Sequence, residues 1–446
     1  MNRGARAQWG SRMAFILAAA GSAVGLGNIW KFPYIAGENG GGAFVLIYLA
    51  CIAFVGVPIF IAELYIGQNA QKNTVEAFET LHKKGTIWRF PGWLGIASAF
   101  LIFSFYSVVG GWVMDFEFRS IMQEFSGKTD QEIQGMLGGL FGNPLRQTLW
   151  HLIFMATTVA IVLGGIKKGL ERWNKILMPG LFILLILLLG YSVTLKGFFP
   201  ALEFLFKPDA SKLTANGILI AIGHSFFTLS LGMGAIITYG SYLSKEEAIV
   251  NTAFLVAILD TLVALAAGIV IFSVVFTFGM QPQEGPGLIF STLPMLFSKM
   301  PGGSILSIFF FMLVTFAALT SAVSLLEVVI TYWTESHNMD RKKSTIGTAT
   351  IIWLLGLLTV FSTNIMSDFK IFGLTFFDLF DKLTANYFLP IGGLLISLYY
   401  GWVLGPKAVE KTIGKPGIFS IGLLWSTRVI SPLCILLIIY NLVIGF

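Results

Sequence analysis

The chain has 446 residues, of which 56% are hydrophobic and only 12% are charged, and its formal net charge is +6. Soluble domains carry about 25% charged residues, so this composition indicates an integral membrane protein rather than two or three soluble domains. The basic residues are dispersed between apolar runs, which argues against a nucleic-acid partner. The only cysteines, Cys51 and Cys434, lie inside apolar stretches and predict neither a disulfide framework nor a zinc site.

Long apolar segments follow one another along the whole chain and predict about eleven membrane-spanning helices. They cover residues 12–36, 41–69, 92–119, 147–165, 173–195, 216–243, 248–279, 302–335, 345–361, 372–404 and 417–443. The first, second, eighth and tenth segments exceed the roughly 20 residues needed to cross a bilayer, so we expect them to be tilted or broken. The fold class is therefore an all-α membrane protein with a single domain over 1–446, surrounded by membrane lipid.

Basic residues concentrate in alternate loops, which indicates the orientation in the membrane. Arg3 and Arg6 precede the first span and Arg12 begins it, and Lys83 and Arg89 lie in the loop after the second. The positive-inside rule then places the N-terminus in the cytoplasm and, after eleven spans, the C-terminus outside. We expect a multi-pass protein of the plasma membrane.

The first and sixth spans each contain a Gly-x-Gly sequence near the middle, at 25–27 and at 232–234. Such glycines commonly serve close helix packing. Their matching positions instead favour two five-helix repeats of inverted topology, at 1–199 and 214–405, followed by an eleventh helix within 417–446. A broken helix offers N–H groups to a carboxylate and free carbonyl oxygens to a cation.

Three motifs resemble the signatures of the neurotransmitter:sodium symporter family over essentially the whole chain. They are AVGLGNIWKFPY at 23–34 with ENGGGAF at 38–44, FFTLSLGMG at 226–234, and LTS at 319–321. The chain is similar to bacterial eleven-helix members of that family. The resemblance implies a leucine-transporter-like fold and sodium-coupled import of an amino acid by alternating access, and no enzyme activity.

The resemblance implies two sodium sites. The first would use the Ala23 carbonyl, Asn28, Thr228 and the carboxylate of the substrate. The second would use the carbonyls of Gly21, Val24 and Ala317 with the hydroxyls of Thr320 and Ser321. Oxygen ligands suit small hard cations, although adjacent Thr and Ser residues in a helix also bond to the preceding turn.

Asp260 lies among apolar residues of the seventh span, and an intramembrane carboxylate is a functional candidate by default. In the family an asparagine of the first sodium site stands at this position. Chloride-requiring members carry a serine one turn later, where this chain has Ala264, and Tyr48 and His224 match other positions around that anion site. We hypothesise that Asp260 contributes to the first sodium site and replaces chloride with a fixed negative charge. The alternative is a protonated side chain bonded to the sixth helix.

Gly25 stands where monoamine transporters of the family carry an aspartate, which leaves room for a substrate carboxylate. Tyr106 matches the tyrosine that meets that carboxylate. The resemblance places the following residues around the substrate: Ala23, Val24, Gly25, Leu26, Gly27, Phe105, Tyr106, Phe227, Thr228, Ser230, Met233 and Leu325. An apolar pocket with an adaptable methionine favours hydrophobic or aromatic L-amino acids.

Gates are implied on both sides of the site. The outer gate would pair Lys31 with Asp381 beneath a Phe227 lid, and the inner gate would comprise Arg6, Trp9, Ser241, Tyr242 and Glu335. Glu63 is expected to accept backbone N–H bonds from the broken sixth helix, and the segment from Gly169 to Pro179 to unwind near the second sodium.

Three other functions remain open from the sequence. A proton-coupled amino acid permease on the same fold would use Asp260 or Glu327. A nontransporting amino acid sensor would be expected to carry a large soluble signalling tail. A membrane enzyme is disfavoured, because the four histidines have no metal-ligand spacing and no nucleophile motif is present.

Overall fold

A computed structural model describes residues 7–281, 285–414 and 417–444 of the chain. Within these residues, nine continuous helical spans are long and apolar enough to cross a membrane, and one bent pair of helices adds another. The bent pair is Arg12–Ala23 with Gly27–Glu38, and the nine spans are Gly42–Ala70, Ile87–Ile121, Pro144–Leu163, Gly165–Ser192, Ile249–Thr277, Gly303–Ser336, Arg341–Phe361, Phe376–Ile413 and Ile418–Leu442. The sixth span consists of two short helices, Ala215–Thr228 and Ala235–Gly240. The described residues therefore contain the predicted spans, in the predicted order.

Short helices connect the spans at both ends of the bundle. They are Thr74–Leu81, Asp130–Phe141, Phe198–Phe206 and Thr292–Ser298. Two of the predicted limits of the two repeats fall between spans, and the third lies inside the tenth span, Phe376–Ile413. Residue 199 lies inside Phe198–Phe206, Thr214 caps the sixth span, and residue 405 begins the helix Gly405–Ile413. The division at these limits stays a prediction.

The first span breaks at Val24, whose ψ of 101° is extended rather than helical. Its first half begins with a cap, because the hydroxyl of Ser11 accepts a hydrogen bond from the Ala14 N–H at 3.2 Å. The chain re-enters a helix through a π-helical turn at Gly27–Lys31, and Pro33 stands in the first turn of the following helix, where proline needs no donor. The two halves are inclined by 48°.

The sixth span breaks at a run of left-handed residues: Ser230 has φ of 55°, Gly232 of 76° and Gly234 of 75°. Glycine adopts this conformation without a steric penalty. A Cβ at position 232 would also lie 2.4 Å from the Leu389 carbonyl oxygen of the tenth span, so the backbone approaches too closely for a side chain. The carboxylate of Glu63 accepts the Gly232 N–H at 2.7 Å, which confirms the predicted contact with the broken helix.

The two broken spans lie in the interior, and the continuous spans surround them. In the most apolar 18-residue stretch of the third span, 78% is buried inside the protein. In the corresponding stretches of the fourth and fifth spans, 39% is buried. Exposed apolar side chains on these outer helices, such as Leu149, Ile183 and Ile186, face the surroundings of the bundle. In a membrane protein that surface belongs to lipid.

Candidate substrate and ion site

A small cavity of about 20 Å³ lies between the two breaks. It is lined by Ser22, Ala23, Gly25, Leu26, Gly27, Ile102, Tyr106, Phe227, Ser230, Met233, Ser321, Ser324 and Leu325. Most of the residues predicted to surround the substrate are therefore brought together. Val24 and Thr228 are buried but do not line this cavity, and Phe105 lines a larger one on the side of Lys31.

The substrate prediction did not include the wall residues Ile102 and Ser324. Helical spacing contains a signal for both. Ile102 precedes Tyr106 by four residues, and Ser324 follows Ser321 by three, so each shares a helix face with a predicted residue. Ser324 also bonds across the break, accepting a hydrogen bond from the Ser22 hydroxyl at 2.8 Å.

Asn28, Thr228 and Asp260 form one buried polar cluster beside the cavity. The Asn28 amide donates to an Asp260 carboxylate oxygen at 2.7 Å and to the Thr228 hydroxyl at 3.0 Å. Thr228 in turn donates to the two Asp260 oxygens at 3.1 and 3.0 Å. The amide oxygen of Asn28 accepts the Gly25 N–H at 3.0 Å. The cluster concentrates oxygen ligands and a carboxylate, the donor set that hard cations prefer.

A second group of oxygens lies on the other side of the first break. The Ser321 hydroxyl is 3.3 Å from the Gly21 carbonyl oxygen and 3.4 Å from that of Val24. Thr320 bonds within its own helix, to the carbonyls of Phe316 and Ala317 at 3.1 and 3.0 Å. The five residues predicted for a second sodium site thus converge where the eighth span meets the first.

Tyr48 and His224 pack next to the Asp260 cluster. Their ring centroids are 5.4 Å apart, and Phe32 packs against both rings. Among the described residues, neither His224 ring nitrogen has a hydrogen-bond partner. Ala264 is fully buried and contributes only a methyl group to this region.

A larger cavity of about 430 Å³ lies beyond Phe227, and it includes Lys31 and Asp381 in its lining. Leu26, Tyr106 and Phe227 line both cavities and therefore form the partition between them. The Lys31 ammonium lies 3.9 Å from an Asp381 oxygen and 4.8 Å from the centre of the Phe227 ring. Asp378 instead caps its own helix through Thr375.

At the opposite end, Trp9 holds the N-terminal segment against the sixth span. Its indole N–H donates to the Tyr239 carbonyl at 3.0 Å, and its ring packs edge-on against Tyr242. Ser241 donates to the Thr238 carbonyl within the same turn. Arg6, the predicted partner of Glu335, lies outside the described residues.

Glu335 and Glu327 occupy different positions at this end. Glu335 accepts the backbone N–H of Asn73 at 2.8 Å and so supports the start of Thr74–Leu81. Glu327 accepts two hydrogen bonds from Arg341, at 2.6 and 3.0 Å, and one from the Tyr242 hydroxyl at 2.9 Å. Sequence reasoning missed the Glu327–Arg341 pair, because nothing in the pattern links a mid-helix glutamate to the first residue of the next span.

The fifth span begins with a π-helical segment, Gly165–Glu171, that contacts the N-terminal segment. The Glu171 carboxylate accepts the Gly10 N–H at 2.8 Å and pairs with Lys175 at 2.6 Å. Gly169 lies within this π-helical segment. Pro179 lies in the α-helix that follows it, Arg172–Ser192. Such irregular helical turns often occur at functional sites.

Comparison with known proteins agrees with this arrangement. The model of the sodium:neurotransmitter symporter family matches residues 6–133 and 141–446. This chain belongs to the sodium:neurotransmitter symporter family. It is therefore a multi-pass, sodium-dependent membrane transporter, as the motifs predicted.

Relatives cover almost the whole of the chain. An uncharacterized sodium-dependent transporter of Bacillus subtilis, YhdH, is 38% identical over 442 residues, which is 98% of this chain and 97% of that protein. A sodium-dependent transporter of Haemophilus influenzae is 36% identical and covers 98% of both chains. The crystal structure of MhsT in complex with L-phenylalanine superposes with a TM-score of 0.92 at 45% identity, covering 98% of this chain and 99% of MhsT. The fold is thus the family fold with broken first and sixth spans.

Proposed function

We propose that this protein imports hydrophobic and aromatic L-amino acids with sodium, by alternating access and without a requirement for chloride. The observation that carries the proposal is the placement of two oxygen clusters against one cavity between the broken spans. A transporter needs such a site at mid-membrane, reachable from either side in turn.

Two sodium ions would bind as cargo. One would take oxygens of Asn28, Thr228 and Asp260 together with the Ala23 carbonyl and the substrate carboxylate, and the other would take the oxygens around Ser321 and Thr320. At a membrane potential of −100 mV, each entering sodium ion supplies about 2.3 kcal/mol. Two ions would therefore drive substantial accumulation of a neutral amino acid.

An amino acid carboxylate would lie near Gly25 and Tyr106. The Leu26 N–H donates to the Tyr106 hydroxyl at 3.4 Å, so a backbone donor and a phenol meet at the break. The side chain would extend toward Met233, Leu325 and Ile102. Because the cavity holds only about 20 Å³, the walls must move to admit a substrate, and the flexible thioether of Met233 suits that role. The complex of MhsT with L-phenylalanine supports an apolar substrate.

Asp260 would make chloride unnecessary. Its carboxylate lies in the sodium cluster itself, where the attraction between a cation and a fixed negative charge is strong at low dielectric. Glu327 is less suited to a proton-coupled alternative, since Arg341 already holds both of its oxygens.

The cycle would run from an outward-facing state, with the N-terminus and Trp9 in the cytoplasm. Phe227 and the Lys31–Asp381 pair would close over the bound substrate, after which the Trp9 contacts would open. The segment Gly165–Glu171 contacts the same N-terminal region and would unwind when that region moves.

The test is uptake of radiolabelled leucine, phenylalanine and tryptophan into proteoliposomes. External sodium chloride, sodium gluconate and potassium chloride are compared at fixed pH, and a pH gradient is imposed in a separate arm. Sodium-driven uptake that is equal in chloride and gluconate is expected. A Gly25→Leu variant serves as the inactive control, because a Cβ there would lie 2.5 Å from the Ser321 hydroxyl.

Two results would contradict the proposal. Uptake that follows the proton gradient and ignores sodium would favour the proton-coupled permease. Uptake lost in gluconate would retain sodium coupling but exclude the proposed role of Asp260.

A further inference from the structure

A second large cavity, of about 470 Å³, opens on the outside of the bundle, away from the transport path. It is a groove between the third, eighth and ninth spans, at the end of the molecule that carries Trp9. Its walls include Trp93 and Phe100 of the third span, Trp333 of the eighth, and Lys343, Gly347 and Ile351 of the ninth.

The aromatic side chains of the groove lie at one level, close to the ends of their helices. Trp93 is in the first turn of Phe90–Ile121 and is 40% exposed, and Trp333 is in the last turn of Gly303–Ser336 and is 38% exposed. Between them Tyr332 packs edge-on against Trp93 with ring centroids 4.7 Å apart. Tryptophan in such positions is typical of the boundary between lipid headgroups and hydrocarbon.

A positive charge stands at the same level. Lys343 is in the first turn of Arg341–Phe361 and its side chain lines the groove. The guanidinium of the nearby Arg341 instead donates two hydrogen bonds to the Glu327 carboxylate, at 2.6 and 3.0 Å. The amino end of the ninth span adds the positive pole of the helix dipole to the lysine charge, although Asp340 caps that end through the Lys343 N–H at 3.1 Å.

Below this level the groove is lined mainly by apolar residues. From Lys343 to Ile351 the ninth span advances eight residues, which is about 12 Å along a helix. The hydrocarbon of one leaflet is about 15 Å thick, half of the bilayer core. Gly347 lies midway, and a Cβ built there would meet no atom within 4 Å, so the space beside it is open.

We infer that this groove binds an anionic phospholipid of the adjacent leaflet. The headgroup phosphate lies at Lys343, the glycerol region lies between Trp93 and Trp333, and one acyl chain runs past Gly347 toward Ile351. A zwitterionic lipid offers the same chain but no net charge to Lys343. The bound lipid joins three spans that pack against the transport core, and so it stabilises the bundle.

The experiment measures lipid retention and thermal stability of the full-length purified transporter. Native mass spectrometry counts bound lipid, and the unfolding midpoint is recorded with phosphatidylglycerol or phosphatidylcholine of identical acyl chains. Gly347→Leu fills the groove and Lys343→Gln removes the charge. Gly190→Leu, at another helix glycine whose Cβ meets no atom within 4 Å, and Lys342→Gln, at the exposed neighbouring lysine, are the matched controls.

Phosphatidylglycerol is expected to be retained at least tenfold more than phosphatidylcholine and to raise the unfolding midpoint more. Each groove variant should lose most of that difference, while both control variants keep it. Equal retention of the two lipids would overturn the inference, as would wild-type retention in Lys343→Gln and Gly347→Leu. If Gly347→Leu does not fold, Lys343→Gln against Lys342→Gln still decides the outcome.

Discussion

At the scale of single residues, Asp260 provides the carboxylate of the polar cluster with Asn28 and Thr228, all fully buried. A neutral asparagine retains the size and an oxygen ligand but removes the negative charge. We expect Asp260→Asn to raise the half-saturating sodium concentration at least tenfold, which corresponds to about 1.4 kcal/mol of binding free energy. The measurement is sodium-dependent binding of labelled leucine to the purified protein, with and without chloride.

The matched control for that substitution is Ser273→Ala. Ser273 lies on the same helix and is buried, and its hydroxyl donates to the Ile269 carbonyl of its own helix at 2.6 Å. It should leave sodium dependence unchanged. An unaltered sodium dependence in Asp260→Asn would show that the carboxylate contributes no charge to ion binding.

The Ser321 hydroxyl lies close to backbone carbonyl oxygens at the break of the first span. Ser321→Ala removes an oxygen 3.3 Å from the Gly21 carbonyl. We expect a severalfold weaker response to sodium and little change in folding, since a small cavity replaces one hydroxyl. Thr331→Val is the control, because the Thr331 hydroxyl bonds to its own helix at 3.0 Å. Equal sodium curves for both variants would argue against a second ion at this position.

At the scale of elements, the break of the sixth span depends on residues in the left-handed conformation. An alanine at position 234 would adopt φ near 75° and would bring its Cβ 2.7 Å from the Thr74 side chain. The conformation alone costs about 1–2 kcal/mol for a residue with a Cβ. We therefore expect Gly234→Ala to lower the free energy of unfolding by at least that amount and to weaken substrate binding.

Gly223→Ala provides the comparison within the same span. Gly223 is in the helical half, and a Cβ there would meet no atom within 4 Å. Alanine is a better helix former than glycine, so this variant should be neutral or stabilising. Thermal unfolding and leucine binding of the two variants are measured together. Equal stability of both would contradict the assigned role of the break.

The spans could be predicted because a helix that lies in lipid must consist mainly of apolar residues, and such long apolar runs are visible in the sequence. The two breaks could be predicted because glycine pairs interrupt otherwise apolar runs at 25–27 and 232–234. The π-helical turns at Leu383–Phe388 and Ser426–Ile430 could not be predicted. A π turn differs from an α turn only in bonding to the fifth rather than the fourth residue, and no amino-acid pattern marks it. In the same way the sequence named Glu327 only as a residue that a proton-coupled permease would use, because its pairing with Arg341 depends on how the eighth and ninth spans meet.

At the scale of the whole molecule, the Trp9 contacts tie the N-terminal segment to the sixth span. Trp9→Ala removes an indole hydrogen bond of 3.0 Å and the packing against Tyr239 and Tyr242. The population should shift toward the state open at that end, because only the closed state loses contacts. We expect leucine to bind at least tenfold more weakly, a shift of about 1.4 kcal/mol, and to exit loaded proteoliposomes faster.

A tryptophan elsewhere separates this effect from a general loss of stability. Trp402 is 59% exposed, and its indole also donates to a backbone carbonyl, that of Arg428 at 3.3 Å. Trp402→Ala should leave leucine affinity and efflux unchanged. Parallel losses in both variants would indicate that Trp9 stabilises the fold rather than the closed end.

The thin partition of Leu26, Tyr106 and Phe227 has an electrical consequence. The cavity of about 430 Å³ on the side of Lys31 reaches down to this partition, so electrolyte can approach the Asn28–Thr228–Asp260 cluster and the oxygens around Ser321 closely from that side. Most of the transmembrane voltage then falls across the closed half of the protein, below the partition. In the proposed cycle, sodium entering from the Lys31 side would cross little of the field, whereas its release beyond Trp9 would cross most of it. The voltage sensitivity of transport should accordingly reside in the release and return steps, and pre-steady-state charge movement on sodium binding should be small.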